Sequence, residues 1–215
     1  MREKREKGKG VMTMGQIMRR AVGMLLALGV LSLMGGRLLA AQEGAPAFDP
    51  ADPENHLYID LACGRIEILM RPDKAPHHVE RIKTLARRGF YDGVIFHRVI
   101  EGFMAQTGDP TGTGRGGSDL PDLKAEFNDL PHLRGTVSMA RGDDPDSANS
   151  QFFIMFTRVS SLDGRYTVWG RVIRGMDCVD QIARGEPPAN PTRIIRVRVA
   201  ADLPPEEHGP GISDQ

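Results

Sequence analysis

Eight short apolar runs of strand length, with only two stretches of helical period set far apart among them, leave this chain few folds to adopt. Leu57, Ile59 and Leu61 alternate with Tyr58 and Asp60, Cys63-Gly64 turns the chain, and Ile66, Ile68 and Met70 resume the alternation, which predicts a β-hairpin. Further strands are predicted at Val94 to Val99, Phe103 to Thr107, Gly135 to Ala140, Gln151 to Phe156, Thr167 to Val172 and Arg193 to Val199. Val79, Ile82, Leu85 and Ala86 recur at helical spacing between Pro76 and Gly89, so an amphipathic helix is expected over residues 75–88, and a second over Met176 to Ala183. Strands and helices do not alternate as they would in a doubly wound sheet. The expected fold is mainly β: a closed eight-stranded antiparallel β-barrel capped by two α-helices.

The ends differ in composition from this middle. Arg19 and Arg20 precede an apolar run from Ala21 to Met34, then Gly35-Gly36 and the small residues Ala40 and Ala41, the order of a secretory signal. The run is shorter than the roughly 20 residues that cross a bilayer, so residues 1–41 read as a cleaved signal peptide, with an uncleaved N-terminal anchor as the alternative. The expected location is therefore periplasmic or secreted, or membrane-anchored facing the periplasm. Residues 42–55, rich in Ala, Pro, Asp and Glu, are expected to be a flexible linker, residues 56–200 the folded domain, and residues 201–215 a disordered tail.

Twenty-eight basic and 28 acidic residues balance to zero net charge, so no field calls for nucleic acid or anionic lipid, and no nucleic acid is expected as a partner. Nothing suggests assembly, so a monomer is expected. Cys63 and Cys178, the two cysteines, lack metal or redox spacing and are either separate thiols or one long-range disulfide. Gly112, Gly114 and Gly117 match the letters of a dinucleotide fingerprint, but Ser118-Asp119-Leu120-Pro121 is turn chemistry and no helix follows, so the glycines are assigned to a tight loop beside a groove. Asp143, Asp144 and Asp146 lack the glycine and closing glutamate of a calcium loop, and His77 and His78 diverge on their helix. No metal and no cofactor are expected.

The chemistry centres on the segment Phe96 to Asp109. Arg98 stands among Val94, Ile95, Phe96, Val99 and Ile100, where a fixed charge is costly unless it faces a cleft with an acceptor. Phe103, Met104 and Gln106 follow closely. No nucleophile elbow or cysteine–histidine signature accompanies them. A cation, an amide and large apolar side chains suit a reaction that breaks no covalent bond. Rotation of a prolyl imide, over a barrier of roughly 18–20 kcal/mol, is one: an apolar pocket grips the ring and a charged donor draws the nitrogen lone pair out of resonance.

Five blocks in order, Phe96-His97-Arg98, Gly102-Phe103-Met104 with Gln106 and Gly108-Asp109, Ser138-Met139-Ala140, Ser150-Gln151-Phe152-Phe153 and Leu162-Asp163-Gly164, resemble the cyclophilins, peptidyl-prolyl cis-trans isomerases. The resemblance runs from about His56 to Val199. It implies that Arg98 is the catalytic arginine and that Gln106 positions it. Phe103, Met104, Phe153 and Leu162 would line the proline pocket with Tyr166 as a further wall. The strand end at Ala140, the main chain of Arg141 and the Gln151 amide would hold the segment before proline. Proline-containing polypeptides, unfolded or partly folded exported proteins, are the implied partners. Where many members carry tryptophan this chain has Ser161, which implies weak cyclosporin binding; Tyr166 replaces a common histidine and Arg141 a common asparagine. An alternative to catalysis is a proline-binding chaperone or scaffold using the same groove without turnover.

Overall fold

A computed structural model describes residues 48–208. The signal or anchor expected at residues 1–41, and residues 42–47 of the expected linker, lie outside the described residues.

Eight strands form one antiparallel sheet: β1 (His56–Leu61), β2 (Gly64–Met70), β3 (Arg98–Ile100), β4 (Met104–Thr107), β5 (Thr136–Met139), β6 (Phe152–Met155), β7 (Val168–Arg174) and β8 (Arg196–Val199). Their order is β3-β4-β6-β5-β7-β2-β1-β8. The sheet is strongly curled, and its two ends meet without a ladder between β3 and β8. Instead the chain just before each strand closes the gap: the amides of Gly93 and Phe96 donate to the carbonyls of Ile194 and Thr192, and the amide of Ile194 to that of Val94, each at 2.9 Å. The run predicted as a strand from Val94 is thus mostly this seam, and only its end is β3.

Alternation places Leu57, Ile59, Ile66, Ile68, Ala105, Val137, Phe152, Ile154 and Val197 inside, all fully buried. The single tryptophan, Trp169 of β7, meets Phe152 edge-on at 5.4 Å, and Phe152 meets Tyr91 in the same way at 5.6 Å. Helix α1 (Pro76–Arg87) covers one end with Val79, Ile82, Leu85 and Ala86 buried, burial worth about 1.5–3 kcal/mol for each of the larger side chains. Ala75 offers no side-chain cap. Glu126 supplies one from a distant loop, accepting from the amides of His77 at 3.2 Å and His78 at 3.0 Å and from His78 Nδ1 at 2.6 Å. Those amides are the orphan donors of a helix start, where a carboxylate also suits the dipole. The second helix, α2 (Met176–Asp180), is shorter than expected and carries Cys178, which forms a disulfide with Cys63 of the β1–β2 turn at a Cα separation of 5.5 Å.

Parts of both flanking segments are described, and both carry local structure. Residues 48–55, part of the expected flexible linker, include a 3-10 turn at Pro53–Asn55 that Asp52 caps, and Glu54 there pairs with Lys83 at 2.5 Å and Arg87 at 2.7 Å. Of the expected tail, residues 201–208 are described and take part in 3-10 turns at Ala200–Asp202 and Pro205–Glu207, while residues 209–215 lie outside the described residues. Asp202 pairs with Arg87 at 2.9 Å, and the Glu207 carbonyl accepts from Arg65 at 2.6 Å. Charges that read as solvating in sequence are the partners of arginines on α1, β2 and β8.

Candidate active site

One line of cross-strand neighbours builds the site. Arg98 of β3 lies opposite Gln106 of β4, Gln106 opposite Phe153 of β6, and Phe153 opposite Ser138 of β5. Residues directly opposite in an antiparallel pair project to the same face, so the ladder itself gathers the cation, the amide and the ring. Met104, Phe153 and Met155 thereby form an apolar cluster separate from the main core, with Phe103, Ala140, Leu162 and Tyr166 packed against it. Nine of the ten residues singled out in the sequence, all but Gln151, line a pocket of about 130 Å3 over this cluster. Gln151 lines an adjoining cavity of about 440 Å3 together with Gln106, Ala140 and Arg141.

A chain of hydrogen bonds crosses the mouth of the pocket. Gln151 Nε2 donates to the carbonyls of Gly114 at 3.1 Å and Gly116 at 2.8 Å. With its amine group so committed, its oxygen faces Gln106 and accepts from Nε2 at 2.9 Å. Gln106 therefore turns its own oxygen to Arg98, whose Nη1 donates at a long 3.5 Å. On the other side Arg98 Nε donates to Glu186 Oε2 at 2.7 Å. No carboxylate, thiol or imidazole belongs to the pocket lining.

The walls have their own supports. Phe153 stacks on His132 at 6.2 Å, and Tyr166 meets Phe153 edge-on at 5.8 Å. His132 is fully buried, with Nδ1 3.1 Å from Asp163 Oδ1 and Nε2 3.2 Å from Ser138 Oγ. Burial pushes this imidazole below its usual range against the pull of Asp163. The Arg141 guanidinium lies 4.7 Å over the Tyr166 ring and donates to the Arg165 carbonyl at 3.1 Å. The amide of Ala140 is tied to the Gln151 carbonyl at 2.9 Å.

The glycine-rich loop beside the groove folds around Asp109. That carboxylate accepts from the amide and hydroxyl of Thr111, each at 2.7 Å, and from the amides of Thr113 at 3.0 Å and Gly114 at 2.6 Å. Burial opposes its ionisation, but the bonds from Thr111 and from the Gly116 and Gly114 amides outweigh it and hold the carboxyl at about 2. A Cβ at Gly116 would run into Asp109 and Thr111, so the loop admits no side chain there. Glu186, Asp109, and the His132–Asp163 pair escaped the sequence reading as parts of the site. Only the Asp109 and Asp163 positions, inside the recognised blocks, carried a signal.

Comparison with known proteins agrees with this geometry. The model of the cyclophilin type peptidyl-prolyl cis-trans isomerase family matches residues 56–199. A probable peptidyl-prolyl cis-trans isomerase of Brucella suis is 50% identical over 168 residues, 71% of this chain and 86% of that protein. A peptidyl-prolyl cis-trans isomerase-like 1 of Aspergillus oryzae is 41% identical, covering 66% of this chain and 94% of that protein. Among solved structures, a cyclophilin from Hirschia baltica is similar with a TM-score of 0.67 and 31% identity, covering 72% of this chain and 77% of that one. A Cryptosporidium parvum cyclophilin type isomerase crystallised in the presence of the dipeptide Ala-Pro is similar with a TM-score of 0.63 and 28% identity, covering 67% and 98%. An amide-oriented arginine at the mouth of an apolar pocket, on a curled eight-stranded sheet matched throughout by one family, places this chain among the cyclophilin-type peptidyl-prolyl cis-trans isomerases.

Proposed function

We propose that this isomerase is exported and accelerates X-Pro rotation in proteins folding outside the cytoplasm, with Arg98 as its catalytic residue. The observation that carries the assignment of Arg98 is its place between Gln106 and the apolar pocket, with no acid, base or nucleophile in the lining. A proline ring seated against Phe103, Met104, Phe153 and Leu162 puts its imide nitrogen within reach of the guanidinium. A hydrogen bond there favours the pyramidal nitrogen of the twisted imide over the planar ground state, which is differential stabilisation of the transition state. Gln106 orients the arginine, while Gln151 and the strand end at Ala140 and Arg141 hold the preceding segment. A Cryptosporidium relative crystallised in the presence of the dipeptide Ala-Pro supports a proline-containing ligand for this site. Arg98→Ala is expected to lower kcat/KM by at least about 100-fold while leaving the unfolding midpoint nearly unchanged, measured by exchange NMR on a proline peptide. Full activity in that variant would remove Arg98 from the mechanism.

Export is supported by the basic, apolar and small-residue order of residues 19–41 and by the Cys63–Cys178 disulfide, since such bonds persist in oxidising compartments. Uncatalysed isomerisation takes tens of seconds or more, long enough to limit the folding of an exported client. N-terminal sequencing of the protein from a cell-envelope fraction tests this reading. A mature start near residue 42 supports it, and recovery only from the cytoplasm defeats it.

A further inference from the structure

Glu186 is 88 residues from Arg98, yet the fold sets its carboxylate against the guanidinium. Strand β3 pairs with β4 on one side only. On its other side the Val99 amide donates to the Gly185 carbonyl and the Gly185 amide to the Val99 carbonyl, both at 2.8 Å. This reciprocal pair docks the segment so that the residue after Gly185 lies beside the residue before Val99. Gly185 has φ +141°, and a Cβ there would meet Pro188 Cα at 2.6 Å, so the backbone path requires glycine. Arg184 fixes the same segment: its Nε donates to Glu101 at 2.6 Å, its Nη1 to the Asp180 carbonyl at 2.8 Å, and it lies 4.2 Å over the Phe156 ring.

Arg98 lines both the 130 Å3 apolar pocket and a groove of about 490 Å3 bounded by His97, Thr113, Glu186 and Pro187. Its side chain is 41% exposed, and the contact with Gln106 is too long to hold it alone. Building on the isomerase role of Arg98 given above, we propose that Glu186 is a positioning residue for the reaction. By taking the Nε–H it fixes the plane of the guanidinium and leaves Nη2, and the Nη1 hydrogen that Gln106 does not take, for the proline pocket. The bond is short and charge-assisted, the kind that sets geometry. Glu186 is itself 51% exposed, and pairs this open to solvent contribute little to stability. A carboxylate also has an opposite influence, because its charge damps the positive potential that Arg98 offers the prolyl nitrogen. Alignment and damping predict opposite signs when Glu186 is removed, so the sign of the change in kcat decides between them.

The test compares Glu186→Ala, Glu186→Gln, Arg98→Ala and the Arg98→Ala/Glu186→Ala double variant in the full chain, with kcat and KM from exchange on a proline peptide. Glu186→Ala is expected to lower kcat about tenfold with KM changed less than about twofold, at an unaltered unfolding midpoint. Glu186→Gln keeps an oxygen for the Nε–H and is expected to recover most of the loss. The double variant is expected to be no slower than Arg98→Ala alone, the non-additivity of groups acting through one another. Unchanged or faster turnover in Glu186→Ala, glutamine no better than alanine, or additive losses would each overturn the proposal. If Arg98→Ala is inactive while Glu186→Ala turns over at the parent rate, the inference fails and the isomerase role of Arg98 stands.

Discussion

Asp109 shows how much one side chain can organise. It stands three residues beyond Gln106 and gathers the amides of Thr111, Thr113 and Gly114 around one carboxylate. The same loop presents the Gly114 and Gly116 carbonyls that orient Gln151, and through it Gln106 and Arg98. Holding the carboxyl at about 2 rather than 3.8 is a contribution to folding on the order of 2 kcal/mol at neutral pH. The folded value is depressed, so this contribution is fully present above the unfolded value of 3.8 and is lost as pH falls through about 2. Asp109→Asn should therefore be less stable than the parent at neutral pH, with the gap closing under acid, as followed by denaturant unfolding across that range. Its turnover should also fall, because the loop that sets Gln151 loosens.

At the scale of elements, β4 joins the two halves of the site. It carries Met104 and Gln106 toward the pocket and Ala105 into the core, then ends at Thr107, just before Gly108. Gly108 has φ +90°, and a Cβ there would strike the Ser150 carbonyl oxygen and Gln151 Cα. The Ser150 hydroxyl donates to the Gly108 carbonyl at 2.7 Å, locking β4 to the start of β6. Gly108→Ala is expected to destabilise the protein by more than about 1 kcal/mol and to lower activity by shifting Gln106 against Gln151. Thermal unfolding alongside exchange kinetics checks both parts. The α1 cap belongs to this scale too: Pro76 and the apolar spacing are visible in sequence, whereas the Glu126 that satisfies its first amides comes from 48 residues away.

The molecule as a whole is stapled across its ends. Cys63, on the turn between β1 and β2, and Cys178, on α2, are 115 residues apart, so their disulfide closes most of the folded chain into a loop. Cross-links over loops of this length stabilise by about 3–5 kcal/mol, chiefly by restricting the unfolded state. Cys178→Ser, or reduction of the parent, is expected to lower stability by that order while sparing turnover, since neither cysteine lines the pocket. Fluorescence of the buried Trp169 reports the unfolding, and exchange kinetics on the folded protein report the activity.

Sequence alone located the eight strands and two helices, the residues that wall the pocket and the central arginine. Alternation at period two and spacing at 3.6 are local properties, and the five blocks around Arg98, Gln106, Met139, Phe153 and Leu162 lie within short segments. Tertiary structure decided whatever depends on partners distant along the chain. The seam between Phe96 and Thr192, the Glu126 cap, the disulfide, the ordered turns at Pro53–Asn55 and Pro205–Glu207, and the Glu186–Arg98 pair all join residues whose separation leaves no periodic trace. A charged residue in a proline-rich stretch reads the same whether it meets water or an arginine. Only the folded path of the chain distinguishes the two, because the strength of an ion pair depends on distance in space and not on distance in sequence.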